Sequence, residues 1–201
     1  QLPESIQGSY INQIDPTDNT IMYIPPGMEN AKITPHFTIR EFASQVPALE
    51  ADMKTLSLDQ NDRAYSVRKD RFIRLDLRLV ERLEKIRSDN GNLPMVIHEG
   101  YRSVTWHRAL THNKFETATY SPHTAGIGAD FHMAGNSGRV SSVTIRSNVL
   151  GKMDGRIGIS PTTNWVHYDI GDTVYGPSYP VIKNNEPIYP YYTGCNWGYK
   201  Q

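Results

Sequence analysis

Two histidines and one aspartate are the residues of this chain that are best suited to chemistry. His123 and Asp130 lie seven positions apart, and the segment between them holds small residues and two glycines, which let a backbone turn tightly. His167 follows in residues 164–169, whose composition predicts a strand. Two imidazoles and one carboxylate make the three-ligand set of a catalytic zinc, with the fourth position open for water. The pattern therefore predicts a metallohydrolase that holds one zinc ion per chain.

The predicted strand around His167 adds an aromatic wall and a second carboxylate. Because side chains alternate along a strand, Trp165, His167 and Asp169 share one face. Asp169 is then either a general base or a partner that orients an imidazole. His132, on the same predicted strand face as Asp130, is a weaker candidate for the base. Each of these residues, taken alone, would more commonly be an ordinary strand residue.

Arg102 lies where another predicted strand ends, in the sequence Gly-Tyr-Arg-Ser at 100–103. An arginine there could clamp a substrate carboxylate or polarise a scissile carbonyl. A structural salt bridge is the more frequent use of an arginine. His98, just before this turn, could line the same cleft, whereas His107 and His112 lie in a polar stretch and are predicted to be exposed.

Composition limits the class of protein. The chain has 201 residues, of which 38% are hydrophobic, enough for one well-buried domain. Its 21 basic and 21 acidic residues balance, so no global field favours nucleic acid or an anionic membrane. Cys195 is the single cysteine and cannot form an internal disulfide. No apolar window is long enough to span a bilayer, and the first residues show no signal-peptide pattern, although a signal removed by processing fits equally well.

The hydrophobic pattern predicts helices and strands in mixed order. A helix is predicted over residues 69–88, and a second over 141–150 with Val143, Val149 and Leu150 toward the core. Thr38 and Glu41 have the spacing of a capping box that begins a short helix. Strands are predicted at 93–98, 128–133, 155–159 and 165–170. Residues 51–68 are predicted to be loop, and 105–119 a short helix or loop.

This mixed order favours a single α+β domain, with a small, mostly antiparallel sheet flanked by helices. The domain is predicted to cover residues 36–175. Residues 1–35, which hold several prolines, are predicted to form an N-terminal arm. Residues 176–201, rich in Tyr, Pro and Gly, are predicted to form an irregular C-terminal arm packed on the domain.

Three motifs in sequence order resemble those of a known family. They are Gly-Tyr-Arg-Ser at 100–103, Ser-x-His-x-x-Gly-x-x-x-Asp at 121–130 and Trp-Val-His-x-Asp at 165–169. Together they are similar to the motifs of the zinc D-Ala-D-Ala carboxypeptidases and murein peptidases of the LAS type, which share the hedgehog/DD-peptidase fold. Residues 36–42 also resemble the start of the phage and bacterial murein-peptidase branch. The resemblance covers roughly residues 36–172.

The resemblance implies that His123, Asp130 and His167 hold zinc. Its bound water would attack a peptide carbonyl in a peptidoglycan stem, next to a D-amino acid, and Arg102 would stabilise the oxyanion or bind a substrate carboxylate. The expected partner is a peptidoglycan peptide, with no nucleic acid and no membrane span. The expected location is secreted, periplasmic or cell-wall associated, and a phage lysin fits as well. We expect a monomer, and the resemblance leaves open whether the enzyme is a carboxypeptidase, a dipeptidase or an endopeptidase.

One position departs from the family pattern. Many members carry a glutamate three positions before the last ligand as general base, and this chain has Asn164, which cannot take a proton from water. An alternative function is therefore a non-catalytic, zinc-containing module that binds cell wall or protein. A non-haem iron oxygenase also uses two histidines and a carboxylate. That class usually places a histidine and the carboxylate two residues apart in a β-barrel, unlike His123 and Asp130.

Overall fold

A computed structural model describes residues 22–24, 27–44, 72–102, 121–175, 181–183 and 186–188 of the chain. Within them, a five-stranded antiparallel sheet is flanked by a few helices. This arrangement confirms the predicted α+β class. The predictions for residues 51–68 and 105–119, and those for His107, His112 and Cys195, fall outside the described residues.

The elements are labelled here in chain order. They are β1 (Met22–Tyr23), a 3-10 helix (Ile39–Phe42), β2 (Phe72–Ile73), α1 (Leu77–Asp89), β3 (Met95–Glu99), a second 3-10 helix (Pro122–Ala125), β4 (Gly128–Gly135), β5 (Gly138–Arg139), α2 (Ser142–Val149), β6 (Arg156–Ser160), β7 (Trp165–Asp169), α3 (Gly171–Tyr175), β8 (Val181–Lys183) and β9 (Glu186–Ile188).

The central sheet has the strand order β3–β4–β7–β6, and β5 pairs with the end of β4. Because side chains alternate along each strand, the two faces of this sheet differ in character. One face packs against α1 and α2 in the core. The buried residues of that face are Ile97, Ala129, Phe131, Met133, Ile157, Ile159, Val166 and Tyr168. The opposite face carries Asp130, His132, Trp165 and His167 and is called the polar face below.

Helix α1 begins later than the sequence predicts. Residues 72–73 fall within the predicted helix, but they form β2, which pairs with β1. The carboxylate of Asp76 is buried and accepts a hydrogen bond from the backbone N–H of Arg78 at 2.9 Å, so it caps the helix. The predicted start was wrong because a short apolar run fits the period of a helix as well as that of a strand. Only the pairing with the distant strand β1 shows that residues 72–73 are a strand. The helix ends at Asp89, one residue beyond the predicted end.

Helix α2 has nearly the predicted bounds, and its predicted core contacts are right except at one position. Val143 was predicted to contact the core, and it is 48% exposed, so that prediction was wrong. Ile145 and Val149, the latter as predicted, are the buried hydrophobic residues of the helix, and Leu150 packs partly against the core, also as predicted. The four-residue spacing of Ile145 and Val149 places both on one side of the helix and turns Val143 toward solvent.

The segments at either end of the predicted domain also contain ordered contacts. Ile24 and Ile33 are buried in the same core as the helices. The capping box of Thr38 and Glu41 is present and begins the first 3-10 helix. In the predicted C-terminal arm, β8 and β9 form a two-stranded antiparallel ladder. The domain boundaries themselves stay predictions.

No helix among the described residues is both long enough and apolar enough to cross a bilayer.

Gly126 provides a test of how the second 3-10 helix is held. It ends that helix with φ +69°, and a Cβ there would lie 2.2 Å from the carbonyl oxygen of Arg74. Gly91 is the matched control, because its φ is +75° and a Cβ would meet nothing within 4 Å. We expect Gly91→Ala to lower the free energy of unfolding by about 1 kcal/mol through left-handed strain. Gly126→Ala should cost about 1–3 kcal/mol more, because the backbone of Arg74 must move.

Urea unfolding followed by circular dichroism measures both losses. Equal losses in the two variants would contradict the close approach of Arg74 to the 3-10 helix.

Candidate metal centre

The structure brings the three predicted ligands together. His123 lies in the second 3-10 helix, Asp130 in β4 and His167 in β7, and one ligand atom from each lies within 4.8 Å of the others. The Nδ1 atom of His167 is 2.7 Å from Asp130 Oδ1, and the Nε2 atom of His123 is 3.4 Å from the same oxygen. The strand register pairs Asp130 directly with His167. Three separate elements thus converge on one point of the polar face.

Gly128 is the residue that lets the loop carrying His123 approach the sheet. A Cβ at Gly128 would lie 2.8 Å from the Cβ of Pro122 and 3.3 Å from Cε1 of His167. Ser121 begins the 3-10 helix, and its hydroxyl accepts a hydrogen bond from the backbone N–H of His123 at 3.3 Å. The small residues of the sequence motif are therefore needed for close contact between loop and strand, as well as for turning.

Both imidazoles are oriented by acceptors on the side away from Asp130. The Nδ1 atom of His123 lies 2.8 Å from the carbonyl oxygen of Gly100, and Nε2 of His167 lies 3.0 Å from Asp169 Oδ2. A carbonyl and a carboxylate accept hydrogen bonds, so each imidazole donates to its acceptor and presents its other nitrogen to the centre. Two imidazole nitrogens and a carboxylate oxygen then face one point, which is the donor set that fits a divalent cation.

The electrostatics of the group favour positive charge at its centre. Burial raises the pKa of the Asp130 carboxyl, but the charges of His123 and His167 and their hydrogen bonds outweigh burial and hold that pKa well below its usual range. Burial lowers the pKa of His167, but Asp130 and Asp169 outweigh burial and raise it to about 9. A proton on His167 or a bound cation can supply the charge, and binding of the cation releases the proton.

Asp169 is held by contacts on both of its oxygens. Its carboxylate is fully buried, with Oδ1 2.7 Å from Nε of Arg156 and 2.8 Å from the backbone N–H of Gly171. The other oxygen faces Nε2 of His167. Of the two roles that the sequence left open, these contacts favour the partner that orients an imidazole over the general base.

Arg102 lies next to the group, and its partner is a glutamate that sequence reasoning missed. Its Nε donates to Oε1 of Glu99 at 2.7 Å, and its Nη2 also contacts this carboxylate. The backbone N–H of Arg102 donates to the carbonyl of His123 at 3.1 Å. The sheet register is irregular between Ile97 and Glu99, and this bulge places Glu99 opposite Asp130. Regular alternation along the sequence gives no sign of such a bulge.

Asn164 occupies the position at which many zinc murein peptidases carry a glutamate. Its side chain makes a hydrogen bond within the fold. Its φ is +56°, and its side-chain oxygen accepts a hydrogen bond from the backbone N–H of Ser142 at 3.2 Å. Ser142 is the first residue of α2. The side chain of Asn164 therefore joins the β6–β7 turn to the start of a helix.

His132, the other residue that the sequence suggested as a base, belongs to a stack of rings on the polar face. Its Nδ1 is 2.6 Å from Nε2 of His98, whose ring in turn stacks on Trp165 with centroids 4.2 Å apart and planes 14° apart. Burial, and after it the positive charge of Arg139, lowers the pKa of both imidazoles. Two neutral rings can share the short hydrogen bond, one as donor and one as acceptor.

The comparison with protein families identifies the kind of protein that carries this centre. A model of the M15 peptidases, described as peptidoglycan L,D-endopeptidase MepK, matches residues 45–174. The chain belongs to this M15 peptidase family. The predicted resemblance to zinc murein peptidases is thereby confirmed. The matched residues include all three members of the metal group and both acceptors that orient the imidazoles.

Curated relatives of the chain carry the same description. They include peptidoglycan L,D-endopeptidase MepK of Escherichia coli strain K12, of Escherichia coli O157:H7 and of Shigella flexneri. Each is 33% identical over 78 residues, which is 39% of this chain and 41% of the relative. The matched part therefore spans about two fifths of the length of these relatives. No solved structure gives a significant match.

Metal content tests the three-ligand group directly. We expect about one divalent cation per chain in the wild type, because the three donors face one point. His123→Ala and His167→Ala should lose that cation, since each removes one of three ligands. His36→Ala is the matched control, because His36 is an exposed histidine whose partner is Glu84. Mass spectrometry of purified protein measures the metal, and circular dichroism checks that each variant is folded. A folded His123→Ala protein with a full complement of metal would contradict the assignment.

Asp169→Asn separates the two roles that the sequence allowed for Asp169. If Asp169 orients His167, the variant should bind the cation about 10–100-fold more weakly, as loss of such a partner typically does. A general base would instead leave metal affinity near normal and abolish turnover. Asp172→Asn, an acidic residue in the first turn of α3, is the control and should change neither quantity. Competition with a chelator measures the affinity.

Proposed function

We propose that this chain is a zinc-dependent peptidase that hydrolyses peptide bonds in peptidoglycan stem peptides or cross-links. The observation that carries the proposal is the convergence of His123, Asp130 and His167, with each imidazole fixed by an acceptor on its far side. Membership of the M15 peptidases supplies the reaction class. The description of the relatives as peptidoglycan endopeptidases supplies the substrate class.

Zinc is the metal that this donor set favours. Catalytic zinc sites commonly use three protein ligands drawn from histidine and carboxylate, and they leave one position open. When bound here, a divalent cation supplies a Lewis acid and a water that is acidic enough to act near neutral pH. The family resemblance points to the same metal.

The side chains around the centre hold the reacting groups in place. Asp169, fixed by Arg156, keeps His167 in one orientation, and the carbonyl of Gly100 does the same for His123. Arg102, whose backbone N–H is bonded to the carbonyl of His123, would bind the carbonyl oxygen that becomes negative, or a substrate carboxylate. Its pairing with Glu99 fixes the guanidinium before substrate arrives, which reduces the ordering that the transition state requires.

A peptidoglycan substrate has consequences for location and assembly. Peptidoglycan lies outside the cytoplasm, so we propose a secreted, periplasmic or cell-wall associated protein, with a phage lysin as the other source of such an activity. A monomer with one zinc ion would suffice, because the ligands come from a single chain.

The alternative function is a zinc-containing module that binds cell wall without cutting it. The contact of Asn164 with Ser142 is the observation that favours it, because the usual position of the base serves a structural purpose here. A non-haem iron oxygenase is disfavoured, since the chain belongs to a peptidase family and the ligands lie on a five-stranded sheet.

Digestion of purified peptidoglycan tests the proposal. We expect the zinc-loaded chain to release soluble peptide fragments, and mass spectrometry of the new ends will show whether the bond is one for a carboxypeptidase, a dipeptidase or an endopeptidase. A chelator and Asp130→Asn should each abolish release, because both remove the cation. Asp172→Asn should release fragments at the wild-type rate. Binding to peptidoglycan without release, by protein that holds its metal, would favour the binding module.

A further inference from the structure

An open cavity lies beside the metal centre on the polar face. The described residues that line it include Asp130, His167, Trp165, Gly158 and Ser160. Any group that enters this cavity lies next to two of the three metal ligands. The cavity is therefore placed to hold the part of a substrate that adjoins the bond being cut.

The cavity exists because of the residue that β6 places beside His167. The register pairs Gly158 with His167 and Ser160 with Trp165. Arg156 reaches Asp169 across the same face, so position 158 faces that way as well, since side chains alternate. A glycine there leaves the space next to His167 without a side chain. A larger residue would extend into the cavity.

Trp165 forms a fixed apolar wall of this cavity. Its indole is 36% exposed, yet it is stacked on His98 with the ring planes only 14° apart. His98 is held in turn by its hydrogen bond to His132 at 2.6 Å. Stacking on a ring that is itself anchored keeps the indole in one orientation before a ligand binds. One apolar side of the cavity is thus held in place before a ligand binds.

The chemistry of the lining indicates what fits. Apart from the metal ligands Asp130 and His167, no lining residue among those described is ionisable. The hydroxyl of Ser160 already accepts a hydrogen bond from Thr163 Oγ1 at 2.8 Å. With Asp130 and His167 committed to the cation, the rest of the lining offers no ion-pair partner to a charged group, whereas an aliphatic group would gain by leaving water.

We propose that this cavity is a substrate subsite for an uncharged aliphatic group next to the scissile bond, with Trp165 as its wall and His98 as the residue that positions Trp165. This inference rests on the proposed peptidase function. Gly158 sets the space that is open to the group, and a larger residue at that position closes it.

A binding measurement tests the subsite without relying on hydrolysis. The indole N–H resonance of Trp165, assigned by its absence in Trp165→Phe, is followed by nuclear magnetic resonance in the zinc-loaded protein. We expect N-acetyl-D-alanine methylamide to shift this resonance, because the methyl group packs against the indole. The matched charged probe, N-acetyl-D-aspartate methylamide, should leave it in place. Equal shifts with both probes, or none with the alanine probe, would overturn the inference.

Kinetics on peptidoglycan peptides test the same subsite during turnover. Gly158→Val should raise KM about tenfold or more by filling the cavity, with metal content unchanged. Trp165→Ala should raise KM by removing the wall, and His98→Ala should do so more weakly by releasing the indole. His98→Phe, which retains a ring that can stack, should restore KM toward the wild-type value. Val143→Ala, an exposed change on α2, is the control and should leave KM unaltered.

The outcomes separate the subsite from the reaction. A wild-type chain that cuts no peptide but shows the selective shift of Trp165 would keep the subsite and remove the peptidase function. A chain that cuts peptides normally, with KM unchanged in both Gly158→Val and Trp165→Ala, would keep the function and remove the subsite.

Discussion

The pairing of β4 with β7 is the constraint on which the rest of the structure depends. Its register sets Asp130 opposite His167, and the same alternation sends Phe131 and Val166 into the core. A slip of one residue would turn every side chain of the strand to the other face and exchange ligands for core residues. Core packing and the metal group therefore specify the same register. The folding of the apolar face thus determines the chemistry of the polar face.

Charge at the polar face is arranged in pairs, with one group left over. Asp169 is matched by Arg156, and Glu99 is matched by Arg102. Buried charges that have such partners stay ionised at a tolerable cost, whereas unpaired ones do not. Among the described residues of this face, what remains is Asp130 with two imidazoles, and a proton or a cation can neutralise its negative charge. This arrangement concentrates negative charge where one ligand atom from each of the three residues meets the others.

The grouping of His123, Asp130 and His167 could be predicted from the sequence because its signal is local. Spacing and glycines mark His123 and Asp130, and alternation places Trp165 and His167 on one face of a strand. The features that it missed depend on residues that are distant in the chain. The start of α1 is set by pairing between β1 and β2, and the position of Glu99 is set by a bulge against β4. Neither the strand pairing nor the bulge changes the hydrophobic periodicity of the segment in which it occurs, so the local sequence does not reveal it.

Asn164 has a consequence for how this chain can change over evolution. Its left-handed backbone suits asparagine better than glutamate, and its side chain supports the first N–H of α2. Replacing it with glutamate would place an acid three positions before the last ligand, but it would strain the turn and release the helix end. A glutamate at this position would therefore cost stability in this chain. The position can carry an acid without that cost only if the turn and the start of α2 change together.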